Sequence, residues 1–225
     1  MRLSPYRLNR SPVFDGSLRP IKDRLLDPIA RALGPKLHPN VVSVLSFLFG
    51  LTAAALVFHQ LYFAALLVWA LSRLADGLDG SLARVHNRQT DFGGYLDILL
   101  DLVVYAAIPI AFVLGSAAST SSYIALIALL GAYYVNVASW MYLAAIEERR
   151  GRGARELKEE TTVTMPPGLI EGTETIVFYV LFLTLPNYAP ELFLAMTGLL
   201  IITIAQRVTW AWRHLHIDNP RQGNS

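Results

Sequence analysis

The stretch DGLDGSLARVHNRQTDFGGYLDILLD, residues 76–101, brings five aspartates into a chain whose flanking segments are strongly apolar. Hydrophobic residues make up 54% of the 225-residue chain, and charged residues make up only 16%. Soluble domains average about a quarter charged residues, so this composition favours a membrane domain. Acidic side chains inside membrane-spanning segments are expensive and mark functional sites.

The rest of the composition narrows the chemistry. The chain has no cysteine, which excludes disulfides, thiolate nucleophiles and cysteine-bound zinc. Any metal must therefore be held by oxygen or histidine ligands. The formal net charge is only +2, so nothing in the charge balance indicates a nucleic acid partner. Residues 1–14 lack the apolar core of a signal peptide, and we expect the first apolar segment to be retained.

Six segments are long and apolar enough to predict transmembrane helices of about 20 residues each. The sequence therefore predicts an all-α polytopic membrane protein with a cytoplasmic arm (residues 1–40), a six-span domain (41–213) and a cytoplasmic tail (214–225). The predicted spans are residues 41–58, 61–82, 95–115, 122–145, 168–186 and 190–212.

The basic residues lie on one side of this layout. All 19 Lys and Arg residues fall in four segments: residues 1–40, 73–88, 149–158 and the C-terminal end from Arg207. None lies in the other three connections between spans, residues 59–60, 115–122 and 186–191. The positive-inside rule then places both termini in the cytoplasm. We expect an integral protein of a bacterial inner membrane.

The N-terminal arm has an amphipathic pattern of its own. Ile21, Leu25, Ile29 and Leu33 recur every four residues among basic residues. This pattern predicts a juxtamembrane helix that lies in the lipid interface or packs on the domain. Pro28 should kink it.

The second and third spans bring the aspartates together in depth. Asp76 and Asp79 are three residues apart, Asp97 and Asp101 are four apart, and each pair shares one helix face. At 1.5 Å per residue from the outer ends, Asp76 and Asp101 lie about 21–22 Å across the membrane, and Asp79 and Asp97 about 27 Å. The four carboxylates should therefore form an oxygen cage near the cytoplasmic surface.

Such a cage favours a divalent cation. Four bare carboxylates would repel one another, and oxygen ligands with open positions suit Mg²⁺ or Mn²⁺ that bridges phosphates. Gly80, Ala83 and Gly93 would let a ligand approach closely. Arg84 is placed to hold phosphate oxygens. Asp91 precedes the third span and fits a role at the start of the helix.

The stretch resembles the signature of the CDP-alcohol phosphotransferases, D-x2-D-G-x2-A-R-x8-G-x3-D-x3-D. All eight fixed positions match: Asp76, Asp79, Gly80, Ala83, Arg84, Gly93, Asp97 and Asp101. The strict motif covers about a ninth of the chain, and the six-span layout extends the resemblance over most of the rest, though not to the acceptor pocket.

The resemblance implies an enzyme that binds a CDP-alcohol, often CDP-diacylglycerol, and transfers its phospho-alcohol group to an acceptor hydroxyl with release of CMP. It implies two divalent ions, with Asp76, Asp79 and Asp97 as main ligands. Asp101 would assist with metal and act as general base. Gly80, Ala83, Arg84 and Gly93 would shape the nucleotide and diphosphate site. By analogy the protein would form a homodimer.

Other polar residues lie within or beside the spans. Arg207, together with Arg155 or Lys158, could bind an acceptor phosphate, or Arg207 could be a flanking cation. Glu171 and Glu174 fit a structural role at a helix start, and Arg73 could pair with Glu174. We interpret Asn136 as an interhelical hydrogen-bonding residue.

Three classes of function stay open at this point: a CDP-alcohol phosphotransferase, another metal-dependent membrane transferase such as a prenyltransferase, and a transporter with an acidic path. The spacing after the second aspartate favours the first, and the scarcity of outer-side acids argues against the third. The acceptor could be glycerol 3-phosphate, inositol or its phosphate, or serine. A CDP-aminoalcohol donor with a lipid acceptor is the reverse arrangement.

Overall fold

The protein is all-helical in the part of the chain that the computed structural model describes, residues 15–150 and 168–215. A short 3₁₀ turn, Pro186–Tyr188, links the last two helices. The helices are α1 Asp15–Leu33, α2 Pro39–Phe58, α3 Tyr62–Val85, α4 Asp91–Leu114, α5 Thr120–Arg149, α6 Gly172–Thr184 and α7 Ala189–Leu215.

Helices α2–α7 lie where the six spans were predicted. By length and composition, four helical segments of the described chain could cross a membrane: α2, α4, α5 and the continuous stretch Pro186–Leu215. Helix α3 has 24 residues but carries the charges of the aspartate motif, and α6 has only 13 residues. The predicted fifth span is therefore too long, because the chain does not become helical until Gly172.

The packing divides the helices into two groups. Helix α2 packs against both α3 and α4, α5 packs against α7, and α6 contacts α3 and α7. A reciprocal pair of hydrogen bonds joins α2 to α3: Ser46 Oγ donates to the Ser72 carbonyl, and Ser72 Oγ donates to the Ser46 carbonyl, both at 2.9 Å. Small hydroxyl residues let helices approach closely inside a membrane, where such bonds are also protected from water.

Aromatic side chains fill the space between the two groups. Trp69 of α3 and Tyr179 of α6 meet edge to face at 5.6 Å between ring centroids, and Phe182 meets Phe193 in the same way at 4.9 Å. All four side chains are fully buried. Trp69 also lies against Arg73, so one edge of this cluster borders the aspartate region.

Helix α1 packs beside the C-terminal end of α3. Leu26 and Ala30 are buried, and the Ala30 carbonyl oxygen lies 3.1 Å from His86 Nε2. Leu25, Ile29 and Leu33 are exposed, so the predicted apolar stripe faces away from the protein. Pro28 does not end the helix.

Candidate active site

Helix α3 supplies the first two carboxylates of the site. Asp79 is 5% exposed, and its Oδ2 atom is buried without a hydrogen-bond partner. The Ser43 hydroxyl and the Gly80 backbone amide lie against the same carboxylate. Burying a carboxylate oxygen without a partner costs free energy, and a bound cation would offset that cost.

Helix α4 supplies the other two carboxylates. The helix begins at Asp91, and Thr90 caps it because Thr90 Oγ1 accepts a hydrogen bond of 3.0 Å from Gly93 N. Asp91 therefore occupies the first turn of the helix, as predicted. Asp97 and Asp101 both lie within α4, and their spacing of four residues sets them about one turn apart. Asp97 interacts electrostatically with each of the other three carboxylates, Asp76, Asp79 and Asp101.

Arg73 joins the two helices at the deeper level of the site. Its Nη1 atom lies 3.0 Å from Asp101 Oδ1 and 3.7 Å from Asp76 Oδ1. Because a single nitrogen reaches both carboxylates, Asp76 and Asp101 lie at the same level of the bundle. Arg73 thus pairs with Asp101 and Asp76, and Glu174, the alternative partner, serves in the capping box of α6.

The surroundings of Arg73 hold the guanidinium in place. It lies over the Trp69 ring at 4.5 Å and the Tyr105 ring at 5.5 Å from the centroids. Its Nη1 donates to Tyr105 Oη at 3.3 Å and its Nη2 donates to Ser72 Oγ at 3.1 Å. Tyr179 Oη donates a hydrogen bond to the Tyr105 carbonyl and fixes that residue in turn.

The small and basic residues of the motif lie on the same two helices. Arg84 bends back along α3, where its Nη2 donates to Ser81 Oγ at 3.2 Å. A Cβ on Gly80 would lie only 3.3 Å from Arg84 Nη1, so this glycine makes room for the guanidinium. A Cβ on Gly93 would lie 3.2 Å from Asn40 Oδ1, which brings the start of α2 to the start of α4. Ala83 is partly buried one turn beyond Gly80.

The donor set fits a divalent cation in its chemistry. It consists of hard carboxylate oxygens, one of them buried and unpartnered, which Mg²⁺ and Mn²⁺ prefer. However, no three His, Asp or Glu side chains converge tightly enough to form a complete metal site among the residues described.

The predicted acceptor residues have different outcomes. Arg207 is 5% exposed, and its Nη1 donates a hydrogen bond of 2.6 Å to Asn136 Oδ1. It also interacts electrostatically with Glu171. Asn136 on α5 and Arg207 on α7 thus form an interhelical hydrogen bond, as predicted for Asn136. Arg155 and Lys158 lie outside the described residues.

The glutamates at the start of α6 have the structural role that the sequence favoured. Glu171 is the N-cap residue, and Glu174 accepts a hydrogen bond of 3.1 Å from the Glu171 backbone amide. Together they form a capping box, which satisfies amide groups that the first turn leaves without partners. Glu171 Oε1 also accepts from the Gly168 amide at 2.9 Å.

Sequence reasoning missed the immediate neighbours of the aspartates. Arg73 precedes Asp76 by three residues, and Tyr105 follows Asp101 by four, so both lie on the motif's own helix faces. That spacing would have revealed them. No comparable signal marks Ser43 or Asn40, because both reach the site from another helix, α2.

Comparisons with known proteins agree with the motif. The family model for CDP-alcohol phosphatidyltransferase matches residues 36–211. The chain is 35% identical to inner membrane protein YnjF of Escherichia coli strain K12, over 78% of this chain and 84% of that protein. It is 27% identical to the archaetidylinositol phosphate synthase of Pyrococcus horikoshii, over 89% and 97% of the two chains.

Solved structures extend the similarity to the fold. The chain resembles the phosphatidylinositol phosphate synthase of Mycobacterium tuberculosis with CDP-DAG bound, with a TM-score of 0.65 and 26% identity, over 87% of this chain and 98% of that one. A structure of the same mycobacterial protein in complex with manganese and citrate gives a TM-score of 0.62 at 23% identity.

Proposed function

Because the chain belongs to the CDP-alcohol phosphatidyltransferase family, we propose that it transfers a phosphatidyl group from CDP-diacylglycerol to the hydroxyl of a polar acceptor. The acceptor oxygen attacks the phosphorus that carries the diacylglycerol, the bond from that phosphorus to the CMP oxygen breaks, and CMP leaves. The observation that carries the proposal is the set of four carboxylates on α3 and α4, spaced as the motif requires, with the buried and unpartnered oxygen of Asp79 among them.

Asp76, Asp79 and Asp97 would hold the divalent cations, with help from Asp101. The resemblance implies two ions, either Mg²⁺ or Mn²⁺. When bound, such ions neutralise the charge on the diphosphate and on the departing CMP. A mycobacterial relative of the same fold has been solved with manganese, which supports this assignment.

Asp101 would act as the general base. Its Oδ1 is held by Arg73 at 3.0 Å, so the carboxylate has a fixed orientation before any acceptor arrives. A base must lie within hydrogen-bonding reach of the proton that it removes, and a fixed carboxylate at the level of Asp76 meets that requirement if the acceptor enters between α3 and α4.

The nucleotide and diphosphate would lie along the motif face of α3 and the start of α4. Gly80, Ala83 and Gly93 present no bulky side chains there, and Arg84 adds a positive charge. Arginine is suited to phosphate because its planar guanidinium donates two hydrogen bonds in parallel.

The acceptor site would include Arg207 with Arg155 or Lys158. A cluster of cations favours a phosphorylated acceptor, such as glycerol 3-phosphate or inositol phosphate, over inositol or serine. The named synthase from Pyrococcus and the mycobacterial synthase both have inositol phosphate products in their names, which supports the same choice.

The membrane arrangement follows from the charge distribution. We propose that helices α2–α7 are six spans of the bacterial inner membrane, with both termini and the aspartates at the cytoplasmic side. The exposed Leu25, Ile29 and Leu33 of α1 would lie in the lipid interface. The donor's acyl chains could then stay in the bilayer while its head group meets a water-soluble acceptor. We also propose a homodimer, by analogy with the family.

The test is release of CMP by purified protein supplied with CDP-diacylglycerol, Mn²⁺ or Mg²⁺, and a panel of the four acceptors. We expect CMP release that depends on one acceptor, and none with metal removed or with Asp101→Asn. Release from a CDP-aminoalcohol with a lipid acceptor, and none from CDP-diacylglycerol, would reverse the proposed direction of transfer.

A further inference from the structure

One face of α7 carries an open groove that has no part in the proposed transfer reaction. The groove has a volume of about 460 Å³, within the range of small-molecule sites in proteins, about 300–1,000 Å³. Its lining comes from the second half of α7 and includes Ile202, Ala205, Gln206, Thr209, Arg213 and His214. None of these residues belongs to the aspartate motif, which lies on α3 and α4.

The lining of the groove changes from apolar to polar along the helix. Ile202 and Ala205 are apolar, Gln206 and Thr209 add hydrogen-bonding groups, and Arg213 adds a cation in the last turn. The side chains of all five residues are exposed. An amide exposed at the edge of a hydrocarbon layer is costly unless lipid or water supplies a hydrogen-bond partner.

The depth of each group matches the layers of a bilayer. The continuous stretch Pro186–Leu215 is long and apolar enough to cross a membrane. Counted from Ala189 at 1.5 Å per residue, Ile202 lies about 20 Å along α7, Gln206 about 26 Å and Arg213 about 36 Å. The hydrocarbon core is about 30 Å thick, and the head groups extend the bilayer to about 40–45 Å. Ile202 therefore lies beside acyl chains, Gln206 near the ester groups and Arg213 among the head groups.

The head-group end of the groove is positively charged. Arg213 and His214 lie in the last turn of α7, whereas Glu191, the only acidic residue of this helix, lies in the first turn. The His214 ring stacks on Trp210 at 4.5 Å between centroids, and its Nδ1 donates to the Trp210 carbonyl at 2.9 Å. That bond leaves Nε2 for a partner outside the helix. Cations at a membrane surface attract anionic lipids, and the arginine fork suits phosphate oxygens.

We propose that this groove binds one phospholipid with an anionic head group. Arg213 would bind the phosphate, Gln206 would donate to an ester carbonyl oxygen, and one acyl chain would lie along Ile202 and Ala205. The inference requires α7 to cross the membrane, but it does not rest on the proposed reaction, because lipid binding is measured without turnover.

Native mass spectrometry of the purified full-length protein in a neutral detergent tests the inference. Dioleoyl phosphatidylglycerol and dioleoyl phosphatidylcholine are titrated separately, and the lipid bound per chain is counted. We expect one saturable site that binds phosphatidylglycerol at least about fivefold more tightly than phosphatidylcholine. Equal affinity for the two lipids would overturn the inference, and this result does not depend on any variant.

Variants then assign the lipid to the groove. Arg213→Gln should weaken phosphatidylglycerol binding about fivefold and leave phosphatidylcholine binding unchanged. Arg149→Gln is the matched control, because Arg149 is also an exposed arginine in the last turn of a long apolar helix, α5, but does not line the groove. This control should bind phosphatidylglycerol as the wild type does. An equal loss in both variants would mean that overall positive charge attracts the lipid, and would reject the site.

Two further measurements separate the lipid from other occupants. Inorganic phosphate should not displace phosphatidylglycerol, and displacement would show that the groove binds free phosphate instead. Thr209→Cys introduces the only thiol of the chain, and it should form no disulfide between copies in bilayers that contain phosphatidylglycerol. Efficient cross-linking would show that a second copy of the chain covers this face, and would overturn the inference.

Discussion

Arg207 Nη1 and Asn136 Oδ1 form a hydrogen bond of 2.6 Å that ties α7 to α5. Both residues lie on helices that pack directly against each other. Arg207 also interacts electrostatically with Glu171 at the start of α6, so a buried cation links three helices. Buried charges of this kind are kept only where they are paired.

Asn136→Ala should therefore destabilise the protein. Hydrogen bonds to charged groups contribute about 1.5–3 kcal/mol in soluble proteins, but in membrane bundles they average about 0.6 with a maximum near 1.7. We expect a loss of about 1–2 kcal/mol in the free energy of unfolding. Denaturation in mixed detergent micelles measures this quantity.

The control for that prediction is Asn136→Asp, which keeps an acceptor oxygen for Arg207 and should retain most of the stability. Equal stability of Asn136→Ala and the wild type would show that the bond contributes nothing.

In the activity assay, Arg207→Lys should raise the KM for a phosphorylated acceptor and leave the KM for CDP-diacylglycerol unchanged.

Asp79→Asn should remove both metal affinity and activity. The buried Oδ2 atom of Asp79 has no hydrogen-bond partner, so its negative charge is available to a cation. Loss of one group that stabilises transition-state charge costs on the order of 10²–10³ in rate, and we expect at least that reduction in CMP release. The rise in melting temperature on addition of Mn²⁺ should also disappear.

The matched control is Asp91→Asn, the same substitution at an exposed first-turn position of α4. It should retain the Mn²⁺-induced stabilisation and most of the activity, because an acidic residue at a helix start contributes only about 0.3–1 kcal/mol. A comparable loss in both variants would mean that net negative charge, and not Asp79 itself, binds the metal.

Gly115→Ala should destabilise the junction between α2 and α4. A Cβ at this position would overlap the Phe58 carbonyl oxygen and lie 2.6 Å from Phe58 Cα, and backbone atoms cannot move aside as side chains can. Overpacking of this kind costs about 1–3 kcal/mol. The Gln60 side chain, which donates to the Gly115 carbonyl at 2.7 Å, would shift as well.

Gly198→Ala provides the comparison within α7. Nothing lies within 4 Å of a Cβ added there, and alanine is favoured over glycine in a helix by about 1 kcal/mol, so this variant should be as stable as the wild type or more stable. Thermal unfolding of both variants in one detergent decides the matter. A Gly115→Ala protein with wild-type stability would mean that α2 and α4 can separate freely at this end.

Much of this architecture was readable from the sequence because hydrophobic length and motif spacing are local signals. The starts of α2, α3 and α7 lie within two residues of the predicted spans. Helix α4 begins four residues early because Thr90, and not a residue nearer the apolar run, caps it. Helix α6 begins four residues late because Glu171 and Glu174 form a capping box at that point.

The contacts within the site were harder to predict, because they depend on which side chains meet across helices. The sequence suggested Glu174 as a possible partner for Arg73 and did not point to the aspartates of the motif. The structure resolves this through proximity, with Asp101 at 3.0 Å. The outward orientation of Leu25 and Ile29 on α1 was equally hidden, since a periodic stripe does not say whether lipid or protein covers it.

The absence of cysteine makes the proposed topology directly testable. Ser121→Cys and Asn187→Cys place a thiol at exposed positions at the start of α5 and between α6 and α7, and Gln89→Cys places one at the exposed connection between α3 and α4. With six spans and both termini in the cytoplasm, the first two should react with a membrane-impermeant maleimide in intact spheroplasts. Gln89→Cys should react only after the membrane is opened, because the basic residues Arg84 and Arg88 hold that connection at the cytoplasmic side.

The cysteine-free parent should stay unlabelled in both conditions and serves as the blank. Labelling of Gln89→Cys in intact spheroplasts would invert the orientation, whereas opposite behaviour of Ser121→Cys and Asn187→Cys would show that α5 and α6 do not both cross the membrane.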